Sequence, residues 1–303
     1  MRRKSRHTLW FVLLSLVVVV VCLLVFASLY TDQRLEAARS RIQRPESVVH
    51  YQRLVQAATS DAAPTQEADT PLPATEIEAA RTQFAAFEAA TAIQVKKLAN
   101  NLEWATILND FPADIAEWSP EHWQRLETFL AERQDLVAAI RALAAKGGPL
   151  YPIDFDKGFA MELPHLATVR DFARLLAKDT LLQARNGAWD EAVADIVAQI
   201  QLGRAIAVEP ILISQLVGIA IDGVAFDTLR DAVPPGVLSD VQVGVLLRAL
   251  GTTQDRNAMA AALAMEMQMG DSAFTELRSG NTGLIGGEMH LVGYYLLTTG
   301  FGQ

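Results

Sequence analysis

Between positions 164 and 233 three apolar-striped segments follow one another with only single turn signals between them, and this run commits the chain to helices. Leu166, Val169, Phe172, Leu175, Leu176 and Leu182 recur at steps of three and four, the period of one helix face. Asn186-Gly187 then supplies a stop, because glycine takes the left-handed conformation past a helix end without a Cβ clash. Trp189, Ala192, Val193, Ile196, Val197 and Ile200 restart the period at once. So short a connection makes the two helices antiparallel neighbours. Pro210 suits the first turn of a third helix, where its missing N–H is no loss. That helix carries Ile211, Leu212, Ile213, Leu216, Val217, Ile219, Ala220 and Ile221, apolar nearly all round, which places it at the domain centre. Its unbroken apolar run, 217–221, is too short to span a bilayer.

In the phrase Arg185-Asn186-Gly187-Ala188-Trp189-Asp190-Glu191-Ala192 a turn glycine precedes a small packing residue by five positions. On these residues, 175–206 resembles a tetratricopeptide-type helical hairpin, over roughly one 34-residue unit. More broadly, the stretch from Leu163-Pro164-His165-Leu166 to Glu209-Pro210-Ile211-Leu212-Ile213-Ser214-Gln215-Leu216-Val217 resembles a group of uncharacterised, signal-anchored bacterial helical proteins. That resemblance implies an architecture and no activity.

Residues 1–7 form a basic head, with Arg2, Arg3, Lys4 and Arg6 and no acid. Residues 8–30 carry no charge, and about 22 of them suffice to cross a ~30 Å hydrocarbon core. Trp10 and Tyr30 stand near the two ends, as interfacial aromatics do. The run is long for a signal peptide and no small-x-small site follows it, so it reads as an uncleaved, single-pass anchor. Arg34, Arg39, Arg41 and Arg44 follow the span, but the denser head puts the N-terminus in the cytoplasm and the remainder on the outer, periplasmic or extracytoplasmic face. Residues 31–58, with a modest stripe broken at Pro45, read as a solvated stalk or a juxtamembrane helix lying on anionic headgroups. Residues 59–74, with Pro64, Pro71 and Pro73, read as a flexible linker.

The folded domain is expected over 75–303. Thr75-Glu76-Ile77-Glu78 is a capping box, and Ser119-Pro120-Glu121 opens a helix that runs to Gly147-Gly148-Pro149. After an irregular passage at 150–163 and the central helices, Ser239 caps a helix ended by Gly251. The segment 254–277 follows, with Met265, Met267 and Met269, of which core packing is the simpler reading because residues two apart cannot share a helix face. A last apolar run, 291–297, suggests a shortened version of a longer architecture or a tail that docks on a partner. Period-two alternation is nowhere sustained, so the fold class is all-α: an N-terminal transmembrane helix plus a tetratricopeptide-like array or irregular α bundle.

Charge and residue types exclude several chemistries. Four of the 26 Lys and Arg fall in the first thirty residues, leaving 22 bases against 35 acids, a net −13. Free nucleic acid is a poor partner for such a surface, since binding it rests on phosphate neutralisation. Cys22, the one cysteine, lies inside the apolar run, which removes disulfides and cysteine-ligated zinc from the soluble part. The five histidines are scattered, and Asp154-Phe155-Asp156-Lys157-Gly158 resembles a calcium loop only loosely, so no metal site is expected. Ser214 has no nucleophile elbow around it and should bond back to the preceding turn. No cofactor-binding or catalytic residue emerges. Four polar residues of the central third mark a possible interaction surface or polar groove. His165 is expected as a cap or surface residue, Glu209 as the acid favoured by a helix N-terminus, and Asp222 and Asp227 as partners of Arg204 or Arg230.

The sequence therefore points to a membrane-anchored, non-catalytic helical scaffold or adaptor in the cell envelope, engaging another envelope protein or itself. The alternative is an enzyme using acidic residues in an interhelical cleft.

Overall fold

The computed structural model of the 303-residue chain describes residues 46–59, 72–97, 107, 111–112, 114–251 and 256–279. Regular structure among them is entirely helical: α1 (Glu46–Thr59), α2 (Ala74–Lys97), a 3-10 turn (Ile115–Glu117), α3 (Pro120–Ala131), α4 (Gln134–Ala145), a second 3-10 turn (Phe155–Ala160), α5 (Pro164–Arg185), α6 (Trp189–Ala207), α7 (Leu212–Ala232), α8 (Asp240–Gly251) and α9 (Arg256–Ser279). The chain divides after Gln43, and all the described residues belong to the second unit, Arg44–Gln303. The anchor expected at 8–30, most of the linker and the run 291–297 lie outside the described residues.

The α5/α6 hairpin is the centre of the second unit. Gly187 (φ 74°) closes α5, with Ala188 N–H donating to the Gln183 carbonyl and Gly187 N–H to that of Ala184, the paired bonds of a Schellman end. Phe172, Leu175, Leu176, Leu202 and Ile206 from the hairpin meet Leu126, Phe129, Leu136, Ile140 and Leu143 from α3 and α4, all but inaccessible. Cations over aromatic faces tie α3 and the turn before it to α5: the Lys178 ammonium is 4.7 Å from the Trp118 ring centre, and the Arg185 guanidinium 4.6 Å from that of Trp123. α7 lies against both hairpin helices, α8 against α6, and α9 against α7, the second 3-10 turn and α1.

Where α6 and α7 cross, two glycines face each other. A Cβ on Gly218 would sit 2.7 Å from the Gly203 carbonyl oxygen, and one on Gly203 would sit 3.1 Å from that of Gly218. Neither backbone can yield without separating the helices. Gly218→Ala is therefore expected to lower stability by about 1–3 kcal/mol, the range for overpacked cores. An unchanged urea midpoint would show that the crossing is looser than this.

Several expectations need correction. The domain starts earlier than position 75. Val48, Tyr51 and Val55 of α1 are buried against Leu150, Ile153, Phe155, Ile211, Met265 and Met269, and Arg81 Nε donates to the Ala57 carbonyl at 3.2 Å. The stripe read as a stalk thus belongs to the core. Pro73, not Thr75, closes the first turn of α2, its carbonyl accepting from Glu76 and Ile77. The helix opened by Ser119 breaks at Glu132-Arg133 without glycine or proline. There Arg133 is buried, its guanidinium 3.9 Å from the Phe129 ring centre and bonded to the Phe129 carbonyl. The Ser119 cap itself is present, with His122 as the reciprocal partner. Met265 and Met269 are core while Met267 points out, 63% exposed.

The largest departure is α7. It was placed at the centre of the domain, yet it packs through one face only. It is 21 residues long with a mean hydropathy of 1.5 in its most apolar stretch, enough by length and composition to cross a membrane, although its unbroken apolar run is short.

Candidate functional site

Two of the four polar residues named from the sequence meet, and the elements explain why. Pro164 begins α5, where its ring fits the first turn, and His165 follows it pointing inward. Glu209 sits in the tight reversal from α6 to α7. Its N–H reaches the Ile206 carbonyl, its own carbonyl accepts from Ile211, and Gln215 Nε2 donates to the carbonyls of Ala207 and Glu209 at 2.5 and 2.8 Å. This reversal aims the Glu209 carboxylate at α5. His165 Nε2 lies 2.8 Å from Glu209 Oε1, and Ser214 Oγ donates to Glu209 Oε2 at 2.5 Å.

All three side chains are cut off from solvent, His165 at 2% exposure, Glu209 at 1% and Ser214 at 0%. The His165 ring stacks on Tyr151 with centroids 4.2 Å apart, and the carbonyl of Tyr151 accepts from the Tyr51 hydroxyl at 2.8 Å. Burial, and then the nearby Glu209 charge, raise the Tyr51 pKa well above its ordinary value. The cluster thus links α1, the 150–163 passage, α5 and the α6–α7 reversal.

His165 is therefore neither cap nor surface residue. Glu209 is not simply a dipole-favoured acid, and Ser214 bonds to a side chain rather than to the preceding turn. In the geometry of nucleophilic catalysis an imidazole stands between the hydroxyl and the carboxylate. Here the carboxylate stands in the middle with both oxygens engaged. The serine donates to an anion and has no base of its own, so the arrangement suits a lock between elements better than an acyl-transfer centre. With Nε2–H donating to the carboxylate, His165 Nδ1 is left buried without a hydrogen bond.

Asp222 and Asp227 lie elsewhere. Asp222 is half-buried, and burial raises its pKa against the opposing charge of Arg204. Asp227 is exposed and paired with Arg230 at 2.7 Å. The four residues accordingly do not line one groove.

A second charged cluster was not foreseen. Arg141 of α4 donates from Nε to Asp195 Oδ1 at 2.6 Å, from Nη2 to Asp179 Oδ2 at 3.1 Å and from Nη1 to Glu191 Oε2 at 2.5 Å. Asp179 on α5 and Asp195 on α6 are both 0% exposed, and Glu191 borders an open depression with Trp189, Asp190 and Gln242. Burial would lower the Arg141 pKa, but the three carboxylates outweigh it and raise it. Asp195 is pushed up to about 8, by burial first and then by Asp179, against the pull of Arg141. The sequence did hold a signal here: Asp179 and Asp195 each fall on the apolar stripe of their helix, between Leu176 and Leu182 and beside Ile196. A third buried polar contact runs from Thr180 through Gln199 to Thr228 and joins α5, α6 and α7.

Among the described residues no three His, Cys, Asp or Glu side chains are placed so that they could hold a metal ion. Comparison with family models, with curated proteins and with solved structures finds no match to this chain.

Proposed function

We propose that the chain is a membrane-anchored, non-catalytic interaction domain of the cell envelope that takes up an amphipathic helix of a partner protein along the outer face of α7. The observation behind this reading is that α7, although it buries Ile221 and Ala225, turns several polar residues inward and large apolar ones outward. Its buried residues include Ser214, Gln215, Gly218 and Thr228, while Ile213, Leu216, Ile219 and Phe226 face solvent at 46–52% exposure. A soluble helix normally turns its large apolar residues inward. Here they form an outward stripe at steps of three and seven, with Ala220 and Gly223 between them, and such contiguous patches mark binding faces. A helix laid along that stripe would contact it through the same periodic anchors. The buried polar side chains of α7, bonded within the domain, favour packing on α5 and α6 over insertion into lipid. The uncharged stretch 8–30 behind its basic head supports the anchor, with the acidic remainder on the outer face.

The alternative, an enzyme working through acidic residues, would draw on the His165–Glu209–Ser214 cluster, whose central carboxylate is already committed on both oxygens.

The test is photo-crosslinking in cells from full-length protein carrying a crosslinking residue at Leu216 or Phe226, with exposed Arg170 as control. One partner protein should be captured from both stripe positions and not from the control. Ile219→Glu should cut the yield about tenfold or more, since burying one aliphatic side chain is worth about 1.5–3 kcal/mol. Adducts only to lipid, or only to copies of this chain, would overturn the reading.

A further inference from the structure

We propose that Asp179 and Asp195 form a buried proton-binding site, holding a single proton between their carboxyl groups when the domain is folded at neutral pH. The geometry requires it on three counts. Both side chains are fully buried on adjacent helices, and both are bound to the same guanidinium through different nitrogens. Two buried carboxylates thus share one positive charge, which Glu191 at the rim also claims, and a dry site relieves such an excess by protonation. The partners of the individual oxygens then say where the proton sits. Asp195 Oδ1 and Asp179 Oδ2 take Arg141, and Asp179 Oδ1 takes Gln183 Nε2 at 3.3 Å. Asp195 Oδ2 is buried with no partner. A proton on Asp195 Oδ2 turns this orphan acceptor into a donor, for which Asp179, bound to the same guanidinium, is the carboxylate at hand.

Among the described residues, the elements packed on the site supply no rival charge. α4 contributes Arg141, α5 contributes Asp179 and the neutral Gln183, and α6 adds Glu191 at the rim. α8 reaches only the exposed Asp190, through Gln242, and α7 offers the neutral Thr228, whose hydroxyl bonds to Gln199. Asp227, Arg230 and Asp231 on α7 are paired on the surface. Glu191 borders open solvent, so protons can exchange along the Arg141 side of the cluster without the helices parting.

The consequence is a stability that depends on pH. The folded chain binds a proton that the unfolded chain, with an ordinary aspartate, has released above about pH 4. This group's contribution therefore declines as pH rises from there and levels off only above the folded value near 8. Alkalinity loosens the α5–α6 attachment to α4, and acidity down to about pH 4 tightens it.

The decisive measurement is proton release on urea unfolding of the full-length protein in non-ionic detergent, in weakly buffered solution at about pH 6, where the two states differ most. Wild-type protein should release one proton per chain more than Asp195→Asn, whose amide donates to Asp179 and accepts from Arg141 without titrating. Equal release from the two would overturn the proposal. Should the variant fail to fold, infrared spectra of wild-type protein with carboxyl-labelled aspartate serve instead. A protonated-carboxyl band present at about pH 6 and lost by about pH 9 is expected, and its absence at the lower pH refutes the site.

Discussion

Replacing Arg141 by alanine is expected to destabilise the domain by about 3–5 kcal/mol at neutral pH, the range for breaking a buried ion pair and leaving its partner stranded. The guanidinium is the only cation bonded to Asp179 and Asp195 among the described residues, and neither aspartate has solvent to fall back on. The sign with pH follows from the same geometry. Without Arg141, whose charge opposes the rise, Asp195 binds its proton more tightly in the fold, so the loss shrinks in acid and grows in alkali. Lysine should not rescue the variant, because a single ammonium cannot meet three carboxylates in the directions that Nε, Nη1 and Nη2 do. Adding Asp179→Asn and Asp195→Asn to the alanine variant should restore much of the stability, since the stranded charge is then gone. Urea unfolding across the pH range measures all of this. A loss under about 1 kcal/mol, the worth of a surface pair, would mean that water reaches the aspartates.

How much of this could be read from the chain depended on whether the signal was local. The stop at Asn186-Gly187 and the caps at Ser119 and Ser239 are backbone chemistry confined to a few residues, and they appear where their sequence places them. The core reading of Met265, Met267 and Met269 holds only for the first and last, because residues two apart face different ways and Met267 is exposed. A stripe, by contrast, says that a face exists and not what covers it. Val48, Tyr51 and Val55 therefore looked like a stalk, although they pack on Ile153, Phe155 and Met265. The all-round apolar pattern of α7 hid which side would be buried. That choice was made by Gly218, small enough for the crossing with Gly203, and by Gln215, whose amide ties down the reversal at Glu209. The break at Arg133 rests on one guanidinium finding the Phe129 ring and carbonyl, and neither propensity nor turn chemistry announces it.

The site was half legible for the same reason. His165 and Glu209 attract attention singly, one beside each proline, but they are 44 positions apart and only the return of α6 along α5 brings them together. Arg141 likewise stands 38 and 54 positions from Asp179 and Asp195. Charged residues on apolar stripes mark such places without saying who pairs with whom.

Glu209→Ala should lower stability by a similar margin, about 3–5 kcal/mol, for a reason that spreads beyond the site. The substitution strips partners from His165 Nε2 and the Ser214 hydroxyl, both inaccessible to water, and opens a void at the α6–α7 reversal. Glutamine should be far milder. Its carbonyl can accept from Ser214 while its amide donates to Nε2, provided the imidazole moves its proton to Nδ1, a position with no partner to lose. Because Tyr151 stacks on His165 and holds the Tyr51 hydroxyl through its carbonyl, the alanine variant should also weaken the seat of α1. Amide exchange across Glu46–Thr59 should then rise in Glu209→Ala before global unfolding begins, and stay near wild type in Glu209→Gln. If α1 remains fully protected in the alanine variant, Tyr51 is held by its apolar neighbours alone, and the His165–Glu209 pair fixes the α6–α7 reversal without reaching as far as α1.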